Sequence, residues 1–129
     1  MEKNRKSNLI TLPFPSTYLV SSPQISLIEG DFVLFLKFAD DNDNLKKYIV
    51  KFNSARAFRK RSEIHCTVWH IAECYDTVCE VFDSTWVDEL IEDTVPDMRS
   101  LWTMRHFILY LDSFGCLEVT GKSVEIYAQ

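Results

Sequence analysis

Glycine is nearly missing: Gly30, Gly115 and Gly121 are the only three in 129 residues. A loop that cradles phosphate with backbone N–H groups needs glycines close together, so a phosphate-binding or dinucleotide-binding turn is excluded. Cysteine is scarce, and Cys66, Cys74, Cys79 and Cys116 contain no C-x-x-C pair. No G-x-S-x-G or family-specific cysteine signature is present either. No run approaches the ~20 apolar residues of a membrane span. The start, MEKNRKSNLITLPFP, has basic residues, but Pro13 and Pro15 break the short apolar run behind them, so no secretory leader is expected. An excess of positive charge is lacking too. Fourteen Lys and Arg stand against nineteen Asp and Glu, a net charge of −5. Free nucleic acid is therefore not the default partner, although a local basic patch can still bind it.

Apolar residues are plentiful. They make up 47% of the chain, with nine Phe, five Tyr and three Trp. That supply excludes disorder for most of the chain and suits one domain over residues 1–129, with the polar residues 1–8 expected to fray. The expected setting is the cytoplasm, with reduced, mostly buried thiols, no membrane partner and no cofactor.

Patterning predicts the elements. Residues 16–22, between Pro15 and Pro23, read as a short edge strand. DFVLFLKFA (31–39) alternates two apolar sets and reads as a strand covered on both faces. DDNDN (40–44) is a turn, and KYIVKFNSARAF (47–58) returns as the second strand of a hairpin. Asp40, Asn42 and Asn44 have the alternation of a calcium loop, but its sixth and twelfth positions are Leu45 and Lys51, which do not serve. CYDTVCEVF (74–82) reads as a strand with one wet face. DSTWVDELIEDTVPD predicts a helix over 84–94. Asp83, Ser84 or Thr85 caps it, Trp86 and Leu90 face the core, and Asp88, Glu89, Glu92 and Asp93 face solvent. Pro96 ends this helix or opens a short second one. HFILYLD and CLEVTGKSVEIY read as two strands around a Ser113–Gly115 turn, with a bulge at Gly121. The fold class is α+β: a mainly antiparallel sheet of five or six strands with one or two helices on one face.

Several constellations carry chemistry. Cys66, His70 and Cys74 are spaced by four, which begins a metal site if 62–74 is helical. In a strand, Cys66 and His70 lie ~13 Å apart, too far to share one ion. Glu63, His65 and Asp76 offer acid–base groups for a small hydrolase, provided that they converge in a cleft. Arg56, Arg59 and Arg61, beside Phe58, Glu63, His65, Trp69 and His70, combine cations with stacking surfaces, as an anionic ligand or RNA would require. Charge is also sorted along the chain. Residues 46–61 hold seven cations and no acid, and 73–97 hold nine acids and no cation. The blocks complement each other if the 47–58 and 74–82 strands pair, with Arg56 or Arg59 meeting Asp76 or Glu80.

FNSARAFRKRSEIHCTVWH, CYDTVCEVFDSTWVDEL and HFILYLDSFGCLEV together resemble small uncharacterised bacterial proteins, over about residues 31–126. The resemblance carries no activity and names no site. In size, acidity and class the chain is also loosely similar to toxin-neutralising immunity proteins. The first expectation is an interaction protein that caps a basic protein with Asp88, Glu89, Glu92 and Asp93. The second is a module for a small anion or RNA at the arginine cluster, and the third is the hydrolase.

Overall fold

The most apolar segment, Asp31–Ala39, is a strand in the computed structural model, which describes residues 2–129. Among the described residues there are nine strands: β1 (Arg5–Thr11), β2 (Gln24–Ile28), β3 (Asp31–Ala39), β4 (Leu45–Asn53), β5 (Ala57–Arg61), β6 (Thr77–Phe82), β7 (Arg105–Leu111), β8 (Gly115–Gly121) and β9 (Ser123–Ala128). Two helices, α1 (Val68–Ile71) and α2 (Thr85–Glu92), flank β6 in sequence. The strands form two antiparallel sheets, ordered β1-β6-β7-β8-β5 and β2-β3-β4-β9. The fold is α+β as expected, but the strands divide between two facing sheets.

Alternation decides which residues meet. Phe32, Leu34, Leu36, Phe38, Val50 and Phe52 of the four-stranded sheet pack on Val78, Phe107, Leu109, Leu111, Leu117 and Val119 of the five-stranded sheet. The other face of the five-stranded sheet carries Cys79, Val81, Ile108, Tyr110 and Cys116, covered by Trp69 and Ile71 of α1. α2 seats Trp86 against His106 of β7 beside that cluster. The layers are therefore helices, five-stranded sheet, four-stranded sheet. No helix among the described residues is long and apolar enough to cross a membrane.

One bent ribbon joins the sheets. β4 ends at Asn53, the chain turns through Ser54 (φ 51°), and β5 continues in the other sheet. Its partner strand bends at the same place, passing from β8 to β9 after Gly121. A Cβ at Gly121 would lie 2.9 Å from the Asn53 carbonyl oxygen, so the two bends nest only with glycine there. The expected single strand over 47–58, and the expected long final strand, are each two strands that change sheets at this corner.

Three further expectations are corrected. Arg5–Asn8 do not fray, because they belong to β1 and pair with Cys79–Phe82; Met1 lies outside the described residues. Residues 16–22 contain a 3-10 turn at Ser16–Tyr18 and one bridge, Leu19 to Phe38. The edge strand is β2, joined to β3 by Glu29 and Gly30, both at positive φ as a two-residue hairpin turn requires. Residues 62–72 are neither strand nor continuous helix: a 3-10 turn at Glu63–His65 precedes the single helical turn α1. The 40–44 turn holds as expected, with Asp40 Oδ1 accepting from the N–H groups of Asn42 and Asn44, both at 2.9 Å.

Candidate functional site

Under α2, the outward-facing positions of β5, β8 and β7 bring polar groups into register. Arg59 lies opposite Glu118, and Glu118 opposite Ile108, two residues from His106 on the same face of β7. Arg59 donates from Nε and Nη2 to the two oxygens of Glu118, at 2.8 and 3.0 Å. His106 Nε2 bonds Glu118 Oε1 at 2.8 Å, and His106 Nδ1 bonds Ser84 Oγ at 2.7 Å. Ser84 caps α2 by accepting from the Val87 N–H at 3.0 Å. Ser84 Oγ keeps a hydrogen-bonding site for Nδ1, so helix cap, imidazole and carboxylate are bonded in series. Trp86 closes the set, with its ring 5.1 Å from His106 and 4.1 Å from the Arg59 guanidinium. Burial raises the pKa of Glu118, but the hydrogen bonds from His106 and Arg59 outweigh it and hold the carboxyl at about 2.

A hydroxyl, an imidazole and a carboxylate in series are the parts of an activated nucleophile. Here they form a buried strut. Ser84 is only 6% exposed and its oxygen is engaged by the helix cap. The adjoining cavity of about 230 Å³ is lined by Lys3, Asn4, Arg59, Trp69, Thr85 and His106, without Ser84. The arrangement fixes α2 on the sheet through four residues, and it fixes the acidic face that α2 carries.

That face lies in the open. Asp88, Glu89, Glu92 and Asp93 are all exposed. Only Asp88 has an ion-pair partner among the described residues, Lys3 at 3.7 Å, and both side chains are mostly in water. Glu89, Glu92 and Asp93 sit at the C-terminal end of α2, where the helix dipole disfavours negative charge. Arg99 turns back to donate to the carbonyls of Glu92 (2.9 Å) and Thr94 (3.0 Å), closing the helix end without reaching the carboxylates. Along the chain the acidic helix is followed by exposed apolar residues: Val95 is 64% exposed, Leu101 59%, and Met98 and Trp102 about 40%.

The arginine cluster is not brought together. Arg59 is bound to Glu118, Arg56 lies over the Trp102 ring at 4.1 Å, and Arg61 donates to the His65 carbonyl at 3.2 Å. Of the residues expected to bind an anion, Arg59 and Trp69 line one cavity and Arg56 and Phe58 another, so no single cavity gathers the set. The expected pairing of Arg56 or Arg59 with Asp76 or Glu80 does not form, because β5 pairs with β8 and not with β6. Glu80 is instead held by Arg105, at 2.6 and 3.0 Å.

The hydrolase set also stays apart from the cavities. Glu63 and His65 are exposed on the 3-10 turn, and Asp76 sits at positive φ ahead of β6. None of the three lines any of five surface cavities of about 160–400 Å³. Cys66, His70 and Cys74 do not share a helical stripe, because the helix they need is one turn long. His70 Nδ1 accepts from the Thr67 N–H at 2.9 Å, and the Cys74 thiol is bonded to the His70 carbonyl at 3.1 Å. Burial pushes the Cys74 and Cys79 thiols up to about 11. Among the described residues no three His, Cys, Asp or Glu side chains are placed to hold a metal ion.

Sequence reasoning missed Glu118 and His106. Their signal was present: each is a polar residue on the Cys116–Thr120 or His106–Tyr110 face of a strand whose neighbours are apolar or small. Comparison with known proteins finds no matching family model, curated protein or solved structure.

Proposed function

We propose that the chain is an interaction protein that caps a basic protein partner with α2 and residues 93–102, in the manner of an inhibitor or immunity protein. The observation that carries this reading is that four open carboxylates are followed directly along the chain by the exposed side chains of Val95, Met98, Leu101 and Trp102. An apolar patch beside a field of one sign is what a steered protein interface presents. The three acids at the unfavourable end of α2 support it further, since they lower the stability of the free chain. Four unpaired thiols are in keeping with a reducing compartment such as the cytoplasm. The arginine cluster supports an anion site less well, because each of its members is engaged within the chain.

Affinity capture with the wild type and with the D88N/E89Q/E92Q/D93N variant tests the proposal. The expected result is a basic protein retained by the wild type and lost by the variant. If every captured protein is retained equally by both, the capping surface is wrong.

A further inference from the structure

The layer opposite the helices is bare. Cross-strand partners share a face, so the outer face of the four-stranded sheet carries a row Phe35–Ile49–Tyr127 and, beside it, a row Lys37–Lys47. Tyr127 is 43% exposed, and Phe35 and Ile49 are part-exposed. Both helices pack on the other sheet, against β7.

Lys37 and Lys47 stand directly opposite each other. Like charges in that register repel. Most other strand cations are engaged: Lys51 pairs with Asp31 at 3.6 Å, Arg59 with Glu118 and Arg105 with Glu80, Arg5 and Lys60 lie over the Phe82 and Phe114 rings, and Lys6 and Arg61 donate to backbone carbonyls. Lys37 and Lys47 have no carboxylate within ion-pair distance among the described residues. Lysines on edge strands guard against sheet-to-sheet pairing. That explanation fails here, because β3 and β4 are the two central strands. A hollow of about 340 Å³ lies beside the pair, lined by Phe35, Lys37, Lys47, Gln24 and Ser22 among others.

We propose that this open sheet face binds single-stranded nucleic acid, with Lys37 and Lys47 on phosphates and Phe35 and Tyr127 beneath bases. The row across β3, β4 and β9 spans roughly 10 Å, since neighbouring strands lie about 4.8 Å apart. It offers one ring at each end for stacking, which tolerates any base. The neighbouring lysine row supplies the sequence-independent charge that such binding needs. The acids nearest these rows are engaged: Glu125, on the same face, lies opposite Lys51, Asp40 accepts from the N–H groups of its own turn, and Asp41 accepts from the Tyr18 hydroxyl. The site is independent of the capping surface, so the α2 charge variant should bind oligonucleotide normally.

The test is fluorescence anisotropy with a labelled single strand of about a dozen nucleotides, in RNA and DNA forms, at low and moderate salt. The wild type should bind, and its affinity should fall as salt rises. K37Q/K47Q should weaken binding at least tenfold at low salt and flatten the log–log salt slope by about 1.4, or 0.7 for each lost phosphate contact. Tyr127→Ala should weaken binding about tenfold, the loss of one stacked base. Lys46→Gln, on the opposite face, should change it less than about twofold. Absence of binding by the wild type, or an unchanged slope in K37Q/K47Q, overturns the proposal. So does equal binding of polyglutamate, which would reduce the site to simple anion attraction.

Discussion

Glu118→Ala is the sharpest perturbation of the strut beneath α2. Glu118 accepts two bonds from Arg59 and one from His106, and its side chain is 5% exposed. The substitution leaves the His106 N–H buried without a partner, which costs about 1–3 kcal/mol. The lost bond to Arg59 adds little, about 1 kcal/mol at most, because that guanidinium is half in water. The sum is about 1–4 kcal/mol. For a chain of this size that corresponds to a fall in Tm on the order of 10 °C. Urea unfolding at pH 7 should show a lower midpoint with the same slope. Glu118→Gln keeps an acceptor for His106 and should fall between the two. The pH dependence has a fixed sign. The carboxyl titrates at about 2 in the folded chain, below its ordinary value near 4.3, so its stabilisation is complete above about 4.3 and lost as pH falls through about 2. Glu118→Gln should flatten the stability profile across that window. A loss below about 0.5 kcal/mol in Glu118→Ala would refute the reasoning, because no buried group would then depend on this carboxylate.

Two other outcomes follow from the fold. Gly115→Ala should destabilise by at least about 2 kcal/mol, since the residue has φ +107° and a Cβ there would lie 2.2 Å from the Arg61 carbonyl oxygen; an unchanged melting temperature would contradict this. E89Q/E92Q/D93N should stabilise the free chain by about 0.5–2 kcal/mol, because it removes charge from the negative end of a helix dipole, and a lower melting temperature would count against the placement of these acids.

The legible parts of the fold were those set by local pattern. The alternation in 31–39 gave β3 to the residue, and the acids and apolar stripe of 84–94 gave α2 with its exposed face. The Ser113–Gly115 turn was legible from Gly115, whose φ is positive. What could not be read was which strands pair. A strand carries no mark of its partner, so 47–58 passed for one element although the chain changes sheets at Ser54. The same ambiguity assigned Arg59 to the acids of 74–82, when its carboxylate is Glu118, 59 residues away. The strut was hidden for the same reason: Ser84, His106 and Glu118 meet only after three separate elements have docked. The Lys37–Lys47 pair is likewise a product of register, invisible until β3 and β4 are aligned.

In the proposed function, carboxylates on α2 steer and hold a basic protein. Its most direct test is the association rate of the captured partner, purified, with the wild type and with D88N/E89Q/E92Q/D93N at low and high salt. The account predicts a fast rate for the wild type that falls steeply with salt, and a slower, nearly salt-independent rate for the variant. Equal rates with equal salt dependence for the two proteins would contradict it.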